Sequence, residues 1–448
     1  MKSGGWLAVL IAALLVGGGA LLWVRAEGTP PAVEAPDALV AGKAGARVAL
    51  ALADDGAGLR SLRVDLVHAN GEIALLAEDY PGNLWSGGVR PEHAVELTLA
   101  PERLSAIQGD AVLRIAVRDW SWRRAFGGNE RLLEVPLRVD LESPRIEIST
   151  GLTYASQGGS GAVAYRISEP PARDGVQVGE QFFPGYPRPG GRDGERVALF
   201  AIPSDVSENV PVAVVAEDAA GNASRARWPL VVKPRPMPDA NVTLSRRFLE
   251  SVVPRFFERT IASDEALIQA FDEVNTRVRE ANERKVRELL ANSASEFISD
   301  AKLQQLANSK VTSKFGERRT YFFEGRPVSS AVHYGYDLAS FAAAPVTAAA
   351  AGRVVYAGEL GIYGNCVLVD HGLGLATLYG HLSRLDVAAG ERLEQDQRIG
   401  LSGDTGLAGG DHLHFAVLVG EAYVDPLEWW DARWVQTHIY SRLQEPRR

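Results

Sequence analysis

Five residues towards the C-terminal end have the types and spacing needed to hold a metal ion and to move protons beside it. They stand in His333-Tyr-Gly-Tyr-Asp337, Tyr379-Gly-His381 and Asp411-His412-Leu-His414. The 448-residue chain has eight histidines, and half of them fall in these three short motifs. Neutral imidazoles with one carboxylate are the donor set of a catalytic zinc, which keeps a position open for water. Such an ion brings the pKa of its water towards neutrality and polarises a carbonyl. An imidazole nearby can take the proton or donate to the developing oxyanion, because its reference pKa lies near neutral pH. On a strand, His412 and His414 leave on one face while Leu413 turns to the core. That pair can serve a single site, one ring on the metal and the other beside it. No serine or cysteine nucleophile is required, and Cys366, in the apolar run Cys366-Val-Leu-Val369, reads as an inert buried thiol.

The surrounding stretch is patterned throughout: Gly352-Arg-Val-Val-Tyr-Ala-Gly358, Tyr363-Gly-Asn365, Val369-Asp-His-Gly372, Leu378-Tyr-Gly-His381-Leu-Ser-Arg384, Gly400-Leu-Ser-Gly-Asp-Thr-Gly406 and His412-Leu-His414-Phe. In order and spacing, residues from about 311 to 429 resemble the catalytic domain of lysostaphin/LytM-type zinc metallopeptidases, which cut peptide bonds in peptidoglycan. The resemblance implies that His333, Asp337 and His414 are the zinc ligands. It implies that His381 and His412 are the unligated pair beside the attacking water. The expected fold is a compact, curved antiparallel β-structure with the zinc in a groove between loops.

Tyr363, Asn365 and Tyr379 are candidates for lining that groove and meeting substrate. Arg318 and Arg319 read as solvated cations, with a substrate carboxylate as the alternative partner. His371 reads as a structural turn residue, and His68, His93 and His438 have no ligand-like companions. The chain departs from the family pattern at Gly409-Gly-Asp411, where a serine or threonine, a glycine and a proline are usual. It also departs in the long, alanine-rich Leu338-Ala-Ser-Phe-Ala-Ala-Ala-Pro345. Both bear on groove shape and substrate preference.

Other segments must carry and place this domain. A formal charge of −9 and the absence of a basic run argue against a nucleic-acid partner. A lone cysteine excludes an internal disulfide framework. Lys2 precedes an uncharged, mostly apolar run from Trp6 to Val24, which as a helix would cover roughly 28 Å, about the hydrocarbon thickness of a bilayer. Residues 1–27 are therefore expected to be a membrane anchor, or else a cleaved signal with a poor cleavage site at Val24-Arg25-Ala26. Residues 28–37 read as a Pro-rich spacer.

Two β-sandwich modules, Ig-like in pattern, are expected over 38–142 and 143–234. Leu62, Val64, Leu66 and Leu133, Val135, Leu137, Val139 alternate at period two, as half-buried strands do. A strand running into an Asp-initiated turn recurs at Ala116-Val-Arg-Asp119 with Gly128-Asn129, and at Val215-Ala-Glu-Asp218 with Gly221-Asn222. The plain reading of this repeat is a turn that stabilises each module. Residues 235–310 hold a linker and a helical segment, started by Ser263-Asp-Glu and carrying Leu267, Phe271, Val274, Val278 and Leu289 on one face. Its charges, Arg277 to Lys285, suit a solvated face, or an arm packed over the catalytic groove or against an envelope protein. The peptidase domain is expected at 311–432 and a tail at 433–448.

The fold class expected is thus multidomain and mainly β. The function expected is a zinc-dependent endopeptidase acting on peptidoglycan cross-links, tethered at the inner membrane with its catalytic domain in the periplasm, or secreted there. The alternatives are a non-enzymatic envelope regulator that activates a cell-wall amidase, disfavoured by the complete ligand set, and a zinc protease acting on protein substrates.

Overall fold

The computed structural model describes residues 4–105, 107–258, 261, 263–298 and 302–443. Lys2 and residues 444–448 of the expected tail lie outside them. Strands carry 45% of the chain and helices 20%, which makes the molecule mainly β. Two compact units divide it: Met1–Ser143 with Glu217–Ala223, and Pro144–Ala216 with Ser224–Arg448.

In the first unit the period-two alternation becomes a pair of facing sheets. One has the strands Ala32–Glu34, Ala46–Ala53 and Glu92–Leu99. The other has Leu39–Ala41, Glu130–Val139, Gly109–Asp119, Leu59–His68 and Gly71–Asp79. Val48, Leu50, Leu52, Val95 and Leu97 from one sheet meet Leu62, Val64, Leu66, Leu113, Ile115 and Val117 from the other in one buried cluster. The segment read as a spacer thus contributes an edge strand, Ala32–Glu34, paired with Ala51–Ala53.

The apolar run before it is a helix, Gly4–Arg25, with Leu14, Leu15, Val16 and Trp23 exposed. No helix among the described residues is long and apolar enough to cross a membrane, so the spanning anchor finds no support here. Gly17, Gly18 and Gly19 dilute its apolar surface at mid-length. Its end is tied into the module: the Trp122 N–H donates to the Arg25 carbonyl, and the Ser121 hydroxyl to that of Glu27.

The second unit holds the second β-module and the C-terminal domain on one continuous core. Phe200, Val214 and Trp228 of the former share it with Trp429, Ile439 and Leu443 of the latter. Polar links reinforce the join. Glu428 accepts from the Ser160 N–H at 2.9 Å, the Trp429 indole donates to the Ser160 hydroxyl at 3.0 Å, and Arg235 pairs with Asp425 at 2.7 Å. Residues 433–443, read as a tail, are helical and bury Val435, Ile439 and Leu443.

The C-terminal domain is built on a long sheet in the order Lys310–Ser313, Tyr336–Ala339, Leu413–Val419, Leu375–Leu382, Asn365–Gly372, Gly352–Glu359 and Arg392–Leu393, with Ala422–Val424 against Leu413–Val419. The strands Glu317–Phe323 and Arg326–His333 pair as a separate hairpin, which Asp239–Thr243 joins in parallel. The helical arm follows that parallel strand. Ser245 and Ser263 cap its two parts, each accepting a backbone N–H. Leu267, Phe271 and Val274 are buried as the spacing requires. A π-helical turn at Val274–Val278 then adds residues to the turn and rotates the face, so Val286 is buried while Leu289 is only partly so.

Candidate metal centre

Strand register assembles the site. Asp337 lies directly opposite His414 in the antiparallel pair Tyr336–Ala339 and Leu413–Val419. Tyr336 and Leu338 turn to the core, which sends Asp337 to the other face; Leu413 does the same for His412 and His414. His333 ends the neighbouring strand, and Tyr334-Gly335 brings the chain around to Asp337. A side chain at Gly335 would meet the His414 ring and the Phe415 carbonyl at 2.7 Å, so close packing excludes any other residue there.

Three donor atoms converge. His333 Nε2 and His414 Nδ1 each lie 3.0 Å from Asp337 Oδ1, and 3.1 Å from each other. Bonds of about 2.0 Å arranged tetrahedrally place donors about 3.3 Å apart, so this triangle has the size for one divalent ion. The donor chemistry agrees. His333 Nδ1 donates to the Lys314 carbonyl at 2.9 Å, which leaves Nε2 as a lone pair facing a carboxylate oxygen. Only a cation or a proton between them relieves that opposition. His414 Nε2 is buried without a hydrogen-bond partner, leaving Nδ1 as the atom turned to the centre.

Two more imidazoles stand alongside. The rings of His381 and His412 are 4.7 Å apart, and His381 is 5.9 Å from His414. His381 Nδ1 donates to the Thr405 carbonyl at 2.8 Å and His412 Nδ1 to the Gly410 carbonyl at 2.7 Å. In both rings Nε2 is therefore the free nitrogen; that of His412 is 3.6 Å from Asp337 Oδ1. His381 adopts a left-handed backbone, φ +63°, a conformation costly for a residue with a Cβ and held here by its surroundings.

Burial pushes the His381 imidazole down to about 3, helped by His412 and His414. Burial also takes His414 to about 4, against the pull of Asp337. For Asp337 burial works upward, but the adjacent imidazoles, His333 foremost, overcome it and hold the carboxyl well below its ordinary range. At neutral pH His381 and His414 are thus uncharged, and Asp337 is a carboxylate.

All five residues line a cavity of about 320 Å³. Its other walls include Tyr321, Ile362, Tyr363 and Leu407, together with Leu244, Phe248, Phe271 and Arg279 from the arm. Arg279 had read as part of a solvated face. Tyr363 lines the cavity, its hydroxyl bonded to that of Tyr423 at 3.0 Å. Asn365 and Tyr379 are placed in the packing instead. Asn365 donates to the Leu382 carbonyl, and the buried Tyr379 hydroxyl accepts from Ala349 N–H and Thr377.

His371 is wholly buried, bonded to the Ala351 carbonyl and the Thr377 hydroxyl. The two departures from the family pattern touch each other: Asp411 accepts from the Ala343 N–H at 2.8 Å and from the Ser402 hydroxyl. Sequence reading missed Glu317 and the Lys314 carbonyl behind the donors, and set Arg319 on the surface. No local periodicity marks a turn's carbonyl as an imidazole's partner.

The pattern of peptidase family M23 matches residues 331–426, the stretch that contains every one of these imidazoles. The C-terminal part of this chain is an M23 peptidase domain. It is 34% identical over 122 residues to peptidoglycan DD-endopeptidase ShyB of Vibrio cholerae, covering 27% of this chain and 28% of that protein. It is 33% identical over 127 residues to the DD-carboxypeptidase/endopeptidase Mpg of Neisseria meningitidis, covering 28% of each. The chain thus spans little more than a quarter of the length of these relatives. A peptidase M23 from Pseudomonas aeruginosa, known from a crystal structure, superposes on 62% of this chain and 95% of its own with a TM-score of 0.41 at 23% identity.

Proposed function

We propose that this chain is a zinc-dependent endopeptidase that hydrolyses the peptide cross-links of peptidoglycan. The observation that carries the reading is the convergence of His333 Nε2, Asp337 Oδ1 and His414 Nδ1 within 3.1 Å of one another on a cavity wall. Those three atoms would hold the zinc. When bound, the ion supplies Lewis acidity and a more acidic water.

The protein's own groups do the rest. His381, kept neutral by burial, takes the proton of the attacking water at Nε2. Its Nδ1–H stays on the Thr405 carbonyl and fixes the ring. His412 Nε2, on the same wall and also an acceptor because Nδ1 carries the ring proton, takes a hydrogen bond from the attacking water and orients it, and the proton gained at His381 Nε2 passes to the departing amine. Leu244, Phe248, Tyr321 and Leu407 exclude bulk water from the cavity, which strengthens each of these interactions. The names of the curated relatives support a peptidoglycan cross-link as substrate.

A peptidoglycan substrate supports a periplasmic location for the catalytic domain. Cell fractionation, with protease accessibility of the intact cell envelope, separates a membrane-held from a released form.

The deciding experiment is digestion of isolated sacculi by the purified protein, with chromatography of the fragments. Expected are loss of cross-linked muropeptides, inhibition by a chelator, recovery with Zn²⁺ and inactivity of His414→Ala. Digestion that survives His414→Ala would falsify the ligand assignment. An intact muropeptide profile with all five residues present would leave a regulatory role or a protein substrate.

A further inference from the structure

We infer that Arg319 is the positioning residue of the metal centre, acting with Glu317 and the Lys314 carbonyl as a cradle that sets two of the three donors. This rests on the metal-site reading above and deepens it.

Arg319 and its neighbour Arg318 are indistinguishable in type, yet the strand sends them opposite ways. The Arg318 side chain is 60% exposed and pairs with the still more open Asp239. Arg319 is only 17% exposed, and its partners Glu317 and Asp337 are 16% and 13% exposed. A buried guanidinium is tolerated only where its charge and its donors are matched. Here Nε and Nη2 both bond Glu317 Oε2 at 3.2 Å, and Nη2 also bonds Asp337 Oδ2 at 3.2 Å.

Oδ2 is thereby occupied, and Oδ1 is left as the oxygen facing the two imidazoles. The other arm of the cradle reaches His333. Glu317 Oε1 accepts from the Lys314 N–H at 2.8 Å, and the Lys314 carbonyl accepts the His333 Nδ1–H hydrogen bond at 2.9 Å. Strand pairing keeps both arms in place, since Glu317 lies opposite His333 and Arg319 opposite Ala331. The parallel strand Asp239–Thr243 buttresses the same segment, with Ala240 beside Arg319.

Two consequences separate this role from a structural one. The guanidinium holds Oδ2 and so fixes Oδ1 as the oxygen that meets the ion, so its loss weakens metal binding before it weakens the fold. Outer partners of metal ligands typically change metal affinity by about 10–100-fold. A lysine keeps the charge but not the planar two-point grip, so it recovers part of the loss.

The test is zinc competition between a chromogenic chelator and the full-length protein at pH 7, for wild type, Arg319→Met, Arg319→Lys and Glu317→Gln, with melting of each metal-free form alongside. Expected are a loss of about 10–100-fold in zinc affinity for Arg319→Met, a partial loss for Arg319→Lys and a smaller one for Glu317→Gln, with metal-free melting close to wild type. Wild-type affinity in Arg319→Met overturns the cradle and leaves the zinc centre standing. Equal losses in the methionine and lysine variants, matched by a fall in metal-free melting, also overturn it by showing a purely structural residue. Absence of zinc binding by the wild type removes the metal centre itself, and the cradle with it.

Discussion

His333, Asp337 and His414 bring donor atoms within 4.8 Å of one another, and so do Glu27, Asp54 and Asp119 in the first unit. The two clusters differ in what their atoms are already doing. Asp119 Oδ1 accepts the Ser121 and Asn129 N–H groups at 2.9 and 2.7 Å, and its Oδ2 accepts the Asn129 amide at 2.8 Å. Asp54 is taken by the Gly58 N–H, and Glu27 by the Thr29 N–H and the Asn129 amide.

These carboxylates close a turn and tie the incoming chain to it. The same device recurs at Asp218, which accepts from the Asn222 N–H and amide, while Asn222 also holds the Asp140 carbonyl. At the other cluster the donors face one another across an unbridged gap and open on a cavity. Proximity of ligand-type atoms is thus common to both, and unspent lone pairs distinguish them.

The largest expected effect comes from removing one unspent donor. Asp337→Asn keeps size and hydrogen-bonding capacity but loses the charge between the two imidazoles, and Arg319 retains Glu317. Cleavage of cross-links should fall by at least about a thousandfold, with bound zinc lost and metal-free melting little changed. Sacculus digestion and metal analysis of the same preparations check it. Activity within tenfold of wild type would mean that the gap is not where the ion sits.

The clamp should fail in the opposite way. Asp119→Ala strands three donors in a buried turn, and unsatisfied buried groups cost about 1–3 kcal/mol each before relaxation. An overall loss of about 2–4 kcal/mol is expected in the first unit, read by hydrogen exchange of its core strands, with the cleavage rate unchanged. Calcium or zinc that raised the stability of this unit would break the comparison, since it would show free ligand positions at the clamp.

What sequence made legible follows the same divide. Period-two alternation announced the strands around Leu62 and Val135. Ser263 with its acidic neighbours announced the arm, and the two Asp…Gly-Asn runs announced turns, with Gly128 and Gly221 left-handed at φ +84° and +79°. The His and Asp residues that converge on the cavity were visible because their types are rare and their spacing regular. The groups behind them were not. Arg319 differs from Arg318 only in which face its strand turns inward, and that depends on register against Arg326–His333. Glu27 meets Asp119 across nearly one hundred residues, with no local signal. Tyr379 and Asn365 occupy positions next to the motifs, and only the packing sends them away from the cavity.

Protons sharpen the contrast, because the two clusters respond with opposite sign. His381 and His414 titrate at about 3 and about 4 in the folded chain, against 6.5 when unfolded. Between those values the unfolded state binds more protons, so stability of the second unit rises with pH and the gain is complete above about 6.5. Zinc bound as proposed would compete with the same protons and steepen the slope without changing its sign.

Burial raises the Asp54 and Glu27 carboxyls above 3.8 and 4.5, and neighbouring carboxylates push the same way. There the folded state binds more protons, so their contribution to the first unit declines as pH climbs from those values through the raised ones. Hydrogen exchange from pH 4 to 7, corrected for intrinsic rates, should show the second unit tightening while these two carboxyls pull the first the other way. Parallel slopes would remove the electrostatic half of the comparison.

The smallest effect is expected at Cys366, which tests whether burial alone makes a reactive group. It lies in the same sheet as the metal centre, wholly buried in the strand Asn365–Gly372, and burial pushes its thiol up to about 12. Nothing nearby stabilises the thiolate, in contrast to the imidazoles that stabilise Asp337. At neutral pH the thiolate fraction is lower than that of a free cysteine by roughly three powers of ten. A maleimide should therefore leave the folded protein unlabelled over hours and modify it promptly in denaturant, while Cys366→Ala digests sacculi within about twofold of wild type. Rapid labelling of the folded chain would show that this sheet opens locally, and the wall that shields the metal centre would then have to be treated as mobile.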